Sequence, residues 1–426
     1  MFIQFTVSNF LSIKEPVTLN MTAMSSVREF SDSNIIQKNK LNLLKSAAIY
    51  GANASGKSKL LYALNFFDTF IRQSFRETQA GDKINVSPFK LNSRFVKLPS
   101  SFELSFLIGD VKYRYGFELD KNKIHTEWLF STAKIKEVPL FIRQNQNFKI
   151  HKDFKEGKGL GDKTRSNALF ISIVAQFNGE KSKSILEWFM NFNVISGMED
   201  ESYEGFTAGL LTNAKKKKKI MEFVTGADLG ITGMKVDEFE VTIDRLPKAM
   251  PDDDKKRLLE LSNGRQAYEL FTLHDVYDSK GKKVGTEIFD FDDAESEGTK
   301  KYFRLAGPIL DTLEKGGVLF IDELDARLHP ILTKFIVKLF NSPKTNKSAQ
   351  LVFVTHDTNL LSACNLRRDQ IWFAEKDRVG ATKLYSLGEY KLASGKVRND
   401  ASFEADYLKG RYGAIPYLGE LNKLFY

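Results

Sequence analysis

The chain has 426 residues, 42% hydrophobic and 27% charged, which is ordinary for a globular protein and long enough for two or three structural units. No apolar run approaches the roughly 18 residues of a membrane span, and MFIQFTVSNF lacks the basic start and apolar core of a signal peptide, so a cytoplasmic protein without membrane partners is expected. One cysteine, Cys364, excludes an internal disulfide, and histidines 125, 151, 274, 329 and 356 are too scattered for a zinc motif. The net charge of +9 leans toward an anionic partner and leaves DNA contact open.

Residues 1–50 read as strands: FIQFTVSNF alternates apolar and polar residues, EPVTLNM follows, and LKSAAIY is a short apolar run. A helix is expected after residue 58, with Leu60, Leu61, Ala63, Leu64, Phe67 and Phe70 at helical spacing. Residues 84–150 return to β character, and SSFELSFLIG with VKYRYGFEL predicts a hairpin about a Gly-Asp turn. From 151 to 265 the texture changes. KEGKGLGDKTRSN reads as a loop, SKSILEWFMNF and KKKKKIMEFV as helices, MKVDEFEVTID as a strand and PKAMPDDDKKR as a charged linker. Residues 266–426 resume strand–helix alternation, with GVLFID and LVFVT as apolar strands typical of a parallel sheet covered on both faces. The fold class expected is α/β: a head built from 1–150 and 266–426, with a mixed or parallel sheet flanked by helices, and an α+β lobe inserted at 151–265. There is no internal repeat, and without sustained heptads no long coiled-coil arm is expected.

Residues 51–58, GANASGKS, match G-x-x-x-x-G-K-[ST] between a strand and a helix. Gly51 and Gly56 let the loop bend so that N–H groups, including those near Asn53 and Ser55, point at phosphate oxygens. Lys57 reaches the outer phosphates and Ser58 is a Mg²⁺ ligand. GVLFIDELD, residues 317–325, delivers Asp322 to the carboxyl end of a strand, where it can hold Mg²⁺, and Glu323 beside it can polarise an attacking water. Standing alone, that stretch would equally be a strand ending in a solvated acidic turn. FVTHD, 353–357, ends a further strand with His356 in reach of the γ-phosphate. Upstream, Ser296-x-Gly298 opens a helix expected to begin near Thr299, which is either a second anion site or an ordinary capped helix.

In this order GANASGKS, ESEGTKK, FIDELDARLHP and FVTHD resemble the ABC-type ATPases of the Rad50/SMC/RecF/OLD branch. The resemblance implies a Walker A loop with Lys57 and Ser58, and a Walker B strand with Asp322 for magnesium and Glu323 as general base. It further implies a signature loop with Ser296 and Gly298, a D-loop with Asp325, and a switch histidine, His356. Glu295 and Glu297 stand where that signature usually has leucine and glycine, and the glutamine loop is not identifiable, Gln176 being one candidate. More narrowly, FTVSNFLSIKEPVTLNM, DELDARLHP and YLKGRYGAIP are similar to the RloA-like group, which includes the ATPase subunit of the PARIS anti-phage system.

The resemblance implies a Mg²⁺-dependent ATPase, at least dimeric through shared ATP sites, acting as a nucleotide-gated scaffold or sensor in phage defence and controlling a separately encoded effector, a Toprim-type nuclease being one candidate. The alternative is a DNA-binding repair ATPase like RecF or Rad50. The 70 residues after His356 carry no convincing Glu…Asp-x-Asp set, and PDDDKK at 251–256 reads as a solvated turn, so no nuclease activity is expected of the chain itself. AKKKKKI, 214–220, reads as a solvated helix face or a phosphate-tracking patch, and GRYGAIP, 410–416, as a docking loop or a turn.

Overall fold

The computed structural model describes residues 1–38, 40–74, 79, 81–227, 229–243, 251–253, 255, 256, 259, 266–392, 395–397 and 401–416. Two compact units divide the chain: 1–196 with 312–325 and 333–426, and 197–311 with 326–332.

The first unit holds two large sheets. In the six-stranded one the order is Phe192–Ser196, Val318–Asp322, Gln350–Val354, Ser46–Tyr50, Ile371–Lys376 and Thr382–Ser386. Its first five strands run parallel and the last is antiparallel. The central strands SAAIY, VLFID and QLVFV are almost continuously apolar and buried, as a sheet covered on both faces requires. In the seven-stranded antiparallel sheet, Ser100–Ile108 and Val111–Leu119 form the expected hairpin, with Ile108 opposite Val111 across Gly109-Asp110.

The Lys57–Gln73 helix shares one apolar core with both sheets. Its Leu60, Leu61, Ala63, Leu64, Phe67, Phe70 and Ile71 are buried, a stripe wide enough for two layers. Phe67 stacks on Phe117 at 5.1 Å and meets Phe5 edge-on at 5.6 Å. Fully burying one such phenylalanine contributes about 1.5–3 kcal/mol, so this helix start is held firmly. Gln350 joins the sheets: its amide donates to the carbonyls of Phe2 (3.0 Å) and Leu44 (3.1 Å), and its oxygen accepts from Phe2 N–H at 2.7 Å.

The second unit contains a three-stranded antiparallel sheet, Ile231–Glu240, Gln266–Tyr277 and Lys283–Asp290. It also contains the helices Glu204–Leu211 and Ala214–Thr225 and the first part of Glu297–Lys315. The strand expected from MKVDEFEVTID ends at Glu240, and the linker expected at 247–257 lies mostly outside the described residues. Lys215–Lys219 wind around their helix, Lys218 pairing with Glu222 at 3.9 Å, so they share no single face. Arg304, nearly buried, is paired with Asp200 at 3.3 Å and Glu204 at 2.5 Å and fixes the start of the Glu204–Leu211 helix against Glu297–Lys315.

Candidate functional site

The Ser46–Tyr50 strand lies between two parallel neighbours, so the loop after it emerges at the carboxyl edge of the sheet, where open α/β sheets bind ligands. Gly56 has φ 101°, and a Cβ there would collide with the Thr382 hydroxyl; at Gly51 it would collide with the Ala374 carbonyl oxygen. Ser55 N–H donates to Ala52 O at 3.2 Å, closing the turn, with Asn53 and Ala54 exposed at its tip. Lys57 Nζ donates to the carbonyls of Gly51 (2.7 Å) and Ala52 (3.0 Å), so the ammonium sits inside the curl. Among the described residues no side chain caps the Lys57–Gln73 helix, whose first-turn N–H groups and positive dipole end face the loop. Two residues missed in the sequence brace this loop. Thr382 Oγ1 donates to Ser55 O at 3.0 Å and pairs with Ser12 Oγ at 2.8 Å.

Asp322 ends the Val318–Asp322 strand and accepts a hydrogen bond from Ser58. Burial raises its pKa; Glu323 raises it further, while Ser58 and Lys57 oppose the rise. Its Oδ1 is buried and has no hydrogen-bond partner among the described residues. Leaving such an acceptor unpaired costs about 1–3 kcal/mol. A hydroxyl and a carboxylate with one uncommitted oxygen are what a hard, oxygen-seeking cation needs, so Ser58 and Asp322 fit Mg²⁺. Glu323 adopts φ 52°, a left-handed conformation that costs a non-glycine residue about 1–3 kcal/mol and is concentrated at functional sites. Its charge acts on Lys57, Asp322 and His356 together.

The carboxylate of Asp325 accepts the backbone N–H of His356, at 3.3 Å to each oxygen, tying the acidic turn to the end of the Gln350–Val354 strand. Desolvation and then the Lys57 ammonium lower the His356 pKa below the usual histidine value; Asp325, Glu323 and Asp322 offset part of this. Desolvation likewise lowers the pKa of Lys57, against the same three carboxylates. His356 is therefore neutral at pH 7, able to accept and donate a hydrogen bond. Replacing Lys57 by alanine removes a cation and admits water, and both changes favour imidazolium. The His356 ring resonances, assigned with His356→Gln, should titrate at higher pH in Lys57→Ala than in the wild type; an unchanged or lower midpoint would contradict this electrostatic account.

Ser296 and Gly298 lie in the second unit. The helix there begins at Glu297, two residues earlier than expected, because Ser296 acts as its cap: Ser296 Oγ accepts Thr299 N–H at 3.2 Å and pairs with Thr299 Oγ1 at 2.9 Å. A Cβ on Gly298 would lie 2.8 Å from Arg327 O, so glycine permits a close backbone approach there. Glu295, where leucine is usual, is largely buried and accepts from Thr272 Oγ1 (2.7 Å) and His274 Nε2 (2.8 Å). Glu297 pairs with Arg327 at 3.1 Å.

Gln176 is placed elsewhere. It lines a cavity with Arg72 and Gln73, at the end of the Lys57–Gln73 helix opposite the phosphate loop. Seventeen helical residues span about 25 Å. The glutamine-loop candidate is thus corrected: Gln176 ends a short buried helix packed on the far side of the core. The residue beside Asp322 on the neighbouring parallel strand is Ser196. A cavity of about 920 Å³ is lined by residues 51–55, His356 and Thr358, by Tyr407, and by Ala414, Ile415 and Pro416 of GRYGAIP.

A phosphate loop and an Asp-Glu strand end at the carboxyl edge of one parallel sheet define a P-loop nucleotide-binding fold of α/β class. The chain belongs to the family described as "AAA domain, putative AbiEii toxin, Type IV TA system", matched over residues 46–362. No curated protein matches it. Solved structures similar to it include an SMC head bound to the C-winged helix domain of ScpA, at 15% identity, covering 90% of this chain and 97% of that one with a TM-score of 0.39. Another is the SMC head domain from Thermotoga maritima, at 13% identity, covering 90% and 98%, also with a TM-score of 0.39.

Proposed function

We propose that this chain is a Mg²⁺-dependent ATP hydrolase that works as a nucleotide-gated scaffold or sensor in anti-phage defence, of the RloA-like kind, and controls a separate effector protein. The observation that carries the hydrolase reading is the Ser58–Asp322 pair, with its uncommitted buried oxygen, beside Lys57 and the left-handed Glu323. In this reading Ser58 and Asp322 hold the magnesium, which neutralises charge on the β- and γ-phosphates when bound. Lys57 and the loop N–H groups bind the phosphates, with Gly51, Asn53, Ser55 and Gly56 shaping the loop. Glu323 takes a proton from the attacking water at its carboxylate, and neutral His356 hydrogen-bonds at the γ-phosphate end. Residues 1–150 and 266–426 serve as the ATPase head and 151–265 as an accessory lobe. The chain acts in the cytoplasm and is not itself a nuclease. The defence role rests on the motif resemblance and accords with the toxin–antitoxin description of the family. A DNA-clamping repair ATPase is the second reading, favoured by the net charge of +9. Salt-dependent, ATP-stimulated binding of duplex DNA, alongside no loss of phage protection in a deletion strain, would select it.

The reading places Ser296 and Gly298 over the nucleotide of a second copy, with Asp325 at the same interface. Ser296→Arg sets a bulky cation where the partner's γ-phosphate would lie, and should retain ATP binding while losing hydrolysis and the ATP-closed dimer. Mixed with Lys57→Ala, it should partly recover turnover, since one composite site of the heterodimer then carries neither defect. Wild-type hydrolysis by Ser296→Arg in a form that light scattering shows to be monomeric would sink the shared-site reading.

A further inference from the structure

The GRYGAIP stretch belongs to neither the phosphate loop nor the acidic strand, yet it lines the cavity beside the phosphate loop and His356. It follows the short Phe403–Leu408 helix and is anchored as firmly as a core element. Tyr412 is fully buried, and Tyr407 lies nearly parallel to Phe373 at 5.1 Å. The Tyr412 carbonyl accepts from Tyr385 OH at 2.7 Å, and the Ala414 carbonyl accepts from Tyr407 OH at 3.1 Å. Ala414 N–H donates to Glu375 Oε2 at 3.2 Å. Turns at Gly410 (φ 75°) and Gly413 (φ 71°) fold the chain back so that Ala414 and Ile415 line the cavity with residues 51–55.

The same helix holds the loop that carries His356. Glu404 Oε2 accepts from Ser362 Oγ at 2.8 Å, and Glu404 Oε1 accepts from Thr358 Oγ1 at 3.3 Å. Thr358 lies two residues after His356 and lines the cavity beside it. From the other side, Tyr50 OH donates to Asp357 O at 3.3 Å, and the Tyr50 ring lies 5.9 Å from that of Tyr407. Tyr50 immediately precedes Gly51. The residues flanking the phosphate loop and the histidine loop therefore bear on one buried aromatic turn.

The geometry points to Glu404 as a positioning residue for His356, and to the 403–416 turn as a brace that sets the histidine loop at the γ-phosphate end of the site. This rests on the reading of His356 in hydrolysis. Glu404 touches no substrate; it acts by fixing Thr358 and Ser362, so its loss lets the histidine wander while the phosphate loop stays intact. Misplacement of a reacting group by about 1 Å lowers rate by up to about 100-fold without weakening binding in proportion.

The test is steady-state ATP hydrolysis by the full chain. Glu404→Ala should lose roughly 10- to 100-fold in kcat with KM for ATP changed by less than about 2-fold, the mark of an interaction outside ground-state binding. Glu404→Gln, whose amide oxygen still accepts a hydroxyl, should restore most of the rate. Thr358→Val with Ser362→Ala removes the donors without touching the turn. It should reproduce the loss and add little when combined with Glu404→Ala, because contacting groups are not additive. Wild-type kcat in Glu404→Ala, or equal losses in Glu404→Ala and Glu404→Gln accompanied by a lowered Tm, would overturn the assignment. His356→Ala separates the two levels. If it abolishes turnover while Glu404→Ala does not, only the brace fails; if it hydrolyses normally, the histidine reading fails and the brace with it.

Discussion

Purified Glu323→Gln protein is expected to bind ATP as the wild type does and to hydrolyse it roughly 10²–10⁴-fold more slowly, the loss for a missing general base. Glutamine keeps the size of the side chain and tolerates the φ of 52° about as poorly as glutamate, so the turn after the Val318–Asp322 strand is preserved. Asp322 and Ser58, the proposed metal-holding pair, are untouched. What disappears is the proton acceptor. In a shared-site dimer the slow variant should also accumulate closed with ATP, since a ligand that binds only the closed form shifts assembly by mass action. Phosphate release, equilibrium binding of a fluorescent ATP analogue and light scattering with ATP check the three parts. Near-normal phosphate release would remove Glu323 from the role of base.

Lys57→Ala should cost affinity instead. The lysine is 5% exposed and its ammonium is held inside the loop by the Gly51 and Ala52 carbonyls. A hydrogen bond to a charged group is worth about 1.5–3 kcal/mol, which corresponds to a loss of roughly 10- to 150-fold in ATP affinity. The two carbonyls lose their donor as well, so the loop itself should loosen. Equilibrium titration measures the affinity, and a plaque assay in cells carrying the variant measures protection. ATP affinity within 2-fold of wild type, measured on folded protein, would be fatal to the phosphate-loop assignment of Lys57. Intact protection despite lost binding would separate defence from nucleotide.

The parts readable in the sequence were those whose geometry is local. GANASGKS specifies its own turn, because Gly51 and Gly56 take backbone positions that a Cβ would block and the next residues begin a helix. GVLFID and LVFVT announced buried parallel strands because Val318–Ile321 and Leu351–Val354 are unbroken apolar runs, and the 108–111 hairpin was legible because two residues close it. The start of the Glu297 helix was missed by two residues because glutamate and glycine carry little periodic signal, whereas the Ser296 cap sets it. Gln176 was misleading, since sequence does not tell which end of the Lys57–Gln73 helix a short buried segment packs against. Tertiary structure alone brought Ser12 to Thr382, Asp325 to the N–H of His356, His274 to Glu295, and Glu404 to Thr358. These contacts join residues from 21 to 370 positions apart. No local periodicity marks such pairs. Their partners are selected only when the apolar strands and helices have already buried their faces and brought the loops to one edge of the sheet.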